Sequence, residues 1–183
     1  QLGLAPDEIT AVTFTNQAAG EMKERLRSAL GKRAAHAMTI GTFHSICLRL
    51  LEDLGERPAL LSEFEAERIA AQILKEQGMA GRPRQFLQDI SRVKCGFPLE
   101  GTALTREAYD TYIEAISALG ALDFDDLLLE ALRRWEEEPH PAKWERAFRC
   151  LLVDEFQDIN STQYQLVEAF ARKGKSLFVI GDP

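Results

Sequence analysis

The sequence predicts an α/β fold: a parallel sheet with helices on both faces, interrupted by an all-helical insertion. Three observations carry that expectation. Short apolar, β-branched runs stand near both ends of the chain, at ITAVTF (9–14), AMTIGT (37–42), CLLVD (150–154) and SLFVIG (176–181). Helical periodicity fills the gaps between them, and continuous apolar strands alternating with helices build parallel sheets covered on both faces. From Ser62 to Phe148 there is no convincing strand. The expected organisation is a first α/β part over 1–55, a helical insertion over 56–148 and a second α/β part over 149–183.

The elements follow in order. After the first strand, Thr15 or Asn16 caps a helix. Ala18, Met22, Leu26 and Ala29 or Leu30 share one face of it, and Gly31 stops it. The second strand leads into a helix bearing Phe43, Cys47, Leu50 and Leu54, which ends at Gly55. Ser62 and Glu65 form a capping box. The helix they open carries Phe64, Ile69, Ile73 and Leu74 and runs to about Gln77. Pro83 opens another, with Phe86, Leu87, Ile90 and Val93. Tyr109, Tyr112, Ile113, Ile116 and Leu119 mark a third. Phe124, Leu127, Leu128, Ala131, Leu132 and Trp135 mark a fourth, and a short helix around Trp144 follows Pro141. The strand at 150–154 reads as buried. The helix at 161–173 carries Tyr164, Leu166, Val167 and Phe170, and the strand at 176–181 also reads as buried.

Composition narrows the function classes. A chain of 183 residues with 45% hydrophobic side chains is long enough for a real core. No run approaches the ~18 apolar residues of a membrane span, so no membrane partner is expected. Cys47, Cys95 and Cys150 are far apart and the three histidines are scattered. That argues against a metal cluster or a disulfide framework and favours a reducing, cytoplasmic setting. The net charge is −7. It is uneven: +2 over residues 1–50, −8 over 51–148 and −1 over 149–183. The acidity sits in the middle, so a nucleic-acid contact by the N-terminal part stays open.

The strongest motif is LLVDEFQDIN (151–160), an apolar strand running into Asp154 and Glu155. Ligands of open parallel sheets gather at the carboxyl ends of strands. Alternation along an extended strand would send the two carboxylates in different directions. One then suits Mg²⁺, and the other suits orienting and deprotonating a water. Asp158 is expected to cap the next helix. A phosphate site also needs a GxxxxGK[ST] loop between strand and helix. Gly31-Lys32 is followed by Arg33, and Gly174-Lys175-Ser176 lies between a helix and a strand, so neither qualifies.

Two further turns share one design. TFTN (13–16) and GTFHS (41–45) each place a threonine and a phenylalanine where a strand meets a helix. Amides at such turns favour anions, and a phenylalanine face favours a base. Taken singly, TFTN is better explained by a core Phe14 and a Thr15 or Asn16 cap, and a lone histidine such as His44 is more often a structural hydrogen-bonder than a catalyst. As a pair they suit a sugar-phosphate backbone with stacked bases. ALDFDDLLLEAL (121–132) has a plainer reading, with Asp123 as cap and Asp125 and Asp126 against the helix dipole.

Together, AVTFTNQAAGEMKERL, TIGTFHSICLRLL, LDFDDLL, LLVDEFQD and FVIGDP resemble the UvrD/Rep/PcrA family of superfamily-one DNA helicases, over nearly the whole chain. The blocks look like motifs Ia, Ib, II and the opening of III. The resemblance implies a RecA-like domain with a helical insertion, and ATP-driven translocation along single-stranded DNA with unwinding at duplex junctions. It implies that Asp154 serves Mg²⁺, Glu155 activates the hydrolytic water and Gln157 lies near the ATP. It also implies that Phe14, Thr15, Asn16, Thr42, Phe43 and His44 touch single-stranded DNA. The family's Walker A loop would precede Gln1, and the rest of motif III and the second RecA-like domain would follow Pro183. The chain is therefore expected to be a partial RecA-like sheet, inactive alone, from a protein of DNA repair or replication. Two rivals remain: a piece of a RecB/AddA-type helicase–nuclease, or a non-catalytic DNA-binding module on the same fold. Oligomeric state is not indicated.

Overall fold

The computed structural model describes residues 3–137 and 139–182; Gln1, Leu2, Glu138 and Pro183, the last residue of FVIGDP, lie outside the described residues. The fold is α/β. Strands β1 (Ile9–Thr13), β2 (Thr39–Thr42), β5 (Cys150–Val153) and β6 (Ser176–Val179) form one sheet in the order β2-β1-β5-β6. Every pairing in it is parallel. The register sets Val12 beside Val153 and Thr13 beside Thr42. Helices α1 (Asn16–Leu30), α2 (Lys32–Ala37), α3 (Phe43–Asp53), α8 (Ala142–Ala147) and α9 (Ser161–Ala171) flank the strands.

The chain forms two compact units, 1–56 with 128–183 and 57–127. Residues 128–148, which the sequence assigns to the insertion, thus group with the sheet. The reason is packing. Phe148 stacks on Phe170 with ring centroids 4.1 Å apart, and Trp135 meets both rings edge-on. The Trp135 Nε1–H also donates to the carbonyl of Ala169 at 3.1 Å. Asp7 accepts from Arg146 at 2.5 Å, and Glu8 pairs with Arg149. These ion pairs tie the approach to β1 to the approach to β5.

The smaller unit holds α4 (Glu63–Glu76), α5 (Pro83–Lys94) and α6 (Arg106–Ala118) around their own core. Ala70, Ile73, Phe86, Ile90, Ala108, Tyr112 and Ile116 are its centre. The Ser62–Glu65 capping box forms as expected. The unit also contains a two-residue parallel ladder, β3 (Ala59–Leu60) with β4 (Ala121–Leu122), which is too short for a periodic signal. Helix α7 (Phe124–Glu136) carries the division between Leu127 and Leu128.

Several faces differ from the expected ones. Helix α1 buries Ala19 with Met22 and Leu26 packed on the sheet, while Leu30 is exposed. Phe64 is 75% exposed, because Ala66 and Ala70 turn inward instead. Leu119, Phe124 and Tyr164 are exposed as well. Helix α2 has no counterpart among the expected elements, and it shortens the second strand to four residues. Strand β6 is not buried: Leu177, Phe178 and Val179 are exposed. Among the described residues its one neighbour in the sheet is β5.

Candidate functional site

All four strands of the larger sheet run the same way, so their carboxyl ends share one edge. Across that edge, the turns come in the order 42–44, 14–16, 154–158 and 180–182. The two Thr-Phe turns are neighbours, and the carboxylates stand beside the 14–16 turn. The sheet therefore gathers onto one edge residues up to 168 positions apart in sequence, which is the usual location of ligand sites in such sheets.

The carboxylate turn is not a simple strand continuation. Strand β5 ends at Val153, and the Asp154 N–H donates to the carbonyl of Val12 at 3.0 Å. Glu155 then adopts φ 52°, ψ 44°, and it is the one non-glycine residue with positive φ among those described. So the two carboxylates are set apart by a left-handed turn and not by strand alternation. Such a backbone costs about 1–3 kcal/mol and collects at functional sites. The Asp154 Oδ1 accepts from the Glu155 N–H at 3.1 Å. The Gln157 amide donates to the Glu155 Oε2 at 2.6 Å and more weakly to Asp158 at 3.4 Å. Asp158 lies in a 3-10 turn, and Asn160 caps α9 in its place, since its side chain accepts from the Gln163 N–H at 2.9 Å.

Strand β6 closes the turn from its other side. The Phe156 N–H donates to the carbonyl of Ile180 at 2.9 Å. A Cβ on Gly181 would fall 2.2 Å from the Gln157 Oε1. The glycine thus makes room for the amide that holds Glu155. In sequence Gly181 is only part of a GDP tripeptide, and no local signal ties it to Gln157.

At the neighbouring turns, Thr15 and Thr42 are helix caps, accepting from the N–H of Ala18 at 3.0 Å and of Ser45 at 3.3 Å. Phe14 is 37% exposed, with Thr15 and Asn16 open beside it. Phe43 is different: it is 3% exposed, at the first turn of α3, so its ring is core. His44 is half-buried.

The residues fit Mg²⁺ by donor chemistry, because a half-buried aspartate at a strand end offers a hard oxygen. Among the described residues, no group of three or more His, Cys, Asp and Glu side chains is arranged to hold a metal by itself. No Gly-rich phosphate cradle occurs in the sequence either. Among the described residues, no helix is long and apolar enough to cross a membrane.

Comparison with known proteins gives the same family. The sequence profile of the UvrD/REP helicase N-terminal domain matches residues 1–88 and 96–183. The ATP-dependent DNA helicases PcrA of Staphylococcus aureus and Staphylococcus epidermidis are each 32% identical to the chain over 199 aligned positions. The match covers 98% of this chain and 27% of each relative, so the chain spans about a quarter of their length. The chain belongs to the UvrD/REP helicase family and carries its N-terminal domain.

Proposed function

We propose that this chain is part of an ATP-dependent DNA helicase that moves along single-stranded DNA and opens duplex junctions, in DNA repair or replication. The observation that carries the reading is the shared sheet edge, where the Asp154–Glu155 turn stands beside the Phe14–Asn16 turn. Chemistry at the first is then one strand away from DNA at the second. The relatives named above are ATP-dependent DNA helicases.

In this reading Asp154 holds Mg²⁺, which supplies charge neutralisation at the phosphates when bound. Glu155 orients the attacking water and takes its proton at a carboxylate oxygen. The Gln157 amide, 2.6 Å from the Glu155 Oε2, fixes that carboxylate and borders the nucleotide. Phe14 stacks on a base, and Thr15, Asn16, Thr42 and His44 line the backbone path at the two helix starts. Phe43 supports that turn from the core. The amide cradle for ATP comes from chain outside these residues, and the 57–127 unit belongs to the family's helical insertion.

The test is ATP hydrolysis by the protein that carries this chain, with and without single-stranded DNA, beside its Glu155→Gln variant. The variant is expected to bind ATP and lose most turnover. Turnover at the parent rate in the variant would remove Glu155 from the base role. An enzyme whose turnover ignores DNA would remove the translocase reading.

A further inference from the structure

A second charged feature lies away from the carboxylate turn, in the same unit. Helix α1 ends at Gly31, whose φ of 86° redirects the chain straight into α2. The Gly31-Lys32-Arg33 run, no phosphate loop, therefore serves the fold by laying α2 alongside α1. The two helices and α3 enclose an open cleft of about 450 Å³, within the size of known ligand clefts. Lys23 and Arg27 line it from α1, Lys32 and His36 from α2, and Arg49 from α3, with Glu24 the one acidic residue. Arg27 lies 3.4 Å from Glu24. Lys23 and Lys32 are exposed and carry no ion pair among the described residues. Arg49 is exposed on the cleft wall, where its Nε donates to the carbonyl of Ser45 at 3.2 Å.

Helix geometry links this cleft to the candidate DNA turn. Asn16, Gly20, Lys23 and Arg27 recur at intervals of four, three and four, which is one helix face. At 1.5 Å per residue the stripe is about 16 Å long. Gly20 costs helix stability of about 1 kcal/mol relative to alanine, and nothing lies within 4 Å of its missing Cβ. It leaves that face bare midway between Asn16 and the cations. In a chain of net charge −7, four Lys and Arg side chains around one cleft, beside His36, are a local reversal of sign.

We propose that this cleft binds the phosphodiester backbone of single-stranded DNA, continuing the path from the Thr15–Asn16 turn along α1 to Lys32. The proposal rests on the DNA reading of the sheet edge and adds a second binding surface to it. Cations that neutralise phosphates of a single strand release counterions, and the salt dependence of binding falls by about 0.7 for each neutralised phosphate that is given up.

The test is fluorescence anisotropy of the 183-residue chain with a labelled oligothymidylate across a salt series. Three proteins are compared: the parent chain, Lys23→Gln/Lys32→Gln, and Phe14→Ala. Circular dichroism checks that each is folded. The double variant is expected to bind more weakly, with a salt slope shallower by about 1.4. Phe14→Ala is expected to weaken binding with the slope unchanged. A double variant with the parent slope overturns the cleft while leaving the DNA reading intact. A parent chain that binds no single strand overturns both.

Discussion

Replacing Lys94 by methionine should destabilise the smaller unit by about 3 kcal/mol at neutral pH. The Lys94 side chain is 3% exposed. Its Nζ lies 2.6 Å from the Asp123 Oδ2 and 2.7 Å from the Asp126 Oδ1. The Tyr112 hydroxyl also donates to Asp123, at 3.3 Å. Methionine keeps the length of the stem, so the packing changes little and the charge is what goes. Removing one partner of a buried ion pair costs about 3–5 kcal/mol. Both carboxylates retain partial contact with water, which favours the lower end. Amide exchange in α5 reads the effect locally, and about 3 kcal/mol corresponds to about a hundredfold loss of protection. The pH dependence adds a sign. Burial raises the Asp126 pKa and the Lys94 ammonium opposes the rise. Without Lys94 the pKa climbs further above its unfolded value. The folded state then takes up a proton first, so the deficit shrinks as the pH falls through the raised pKa. A loss under about 1 kcal/mol, or one that is the same at mildly acidic pH, would refute the argument. Adding Asp123→Asn and Asp126→Asn to the variant should recover most of the loss.

Three further outcomes are expected. Phe14→Ala should weaken single-stranded DNA binding by about 1–3 kcal/mol with the fold intact, whereas Phe43→Ala should cost about 3–5 kcal/mol of stability; denaturation and binding titrations separate the two. Gly181→Ala should lower ATP turnover in the protein that carries this chain, because the new Cβ displaces Gln157 from Glu155; an unchanged rate with an unchanged fold would detach Gln157 from that role. The 183-residue chain alone should show no ATP turnover, and turnover that disappears in Glu155→Ala would contradict this.

The legible parts of the fold are those with local chemistry. The Thr15 and Ser62 caps and the four strands of the larger sheet rest on residues within one turn of each other. The side chains that pack are less legible. A period of 3.6 defines a stripe but not its partner, so Leu30, Phe64 and Tyr164 read as inward and are exposed. The apolar run at 176–179 implies cover on both faces, but only a sheet's neighbours decide that. In the site, Asp154 and Glu155 are readable from their position after an apolar strand. The left-handed turn at Glu155 is not, since glutamate has no preference for it. Lys94 is invisible in the sequence because its partners lie 29 and 32 residues away. Read alone, LDFDD shows only a cap and a dipole partner, which do exist: the Asp126 N–H donates to Asp123 at 2.9 Å.

The strand order β2-β1-β5-β6 has a consequence for how the chain is made. Ile9 pairs with Cys150, so β1 waits for a neighbour synthesised 141 residues later. At ribosomal speeds that interval is on the order of ten seconds. During it, residues 57–127 emerge with a complete core of their own and have every reason to fold first. The sheet is assembled afterwards. Until then, among the described residues, the apolar faces of β1 and β2 have α1, α2 and α3 to cover them. The nascent chain is therefore most exposed to aggregation before β5 appears, and chaperone contact should concentrate in that window.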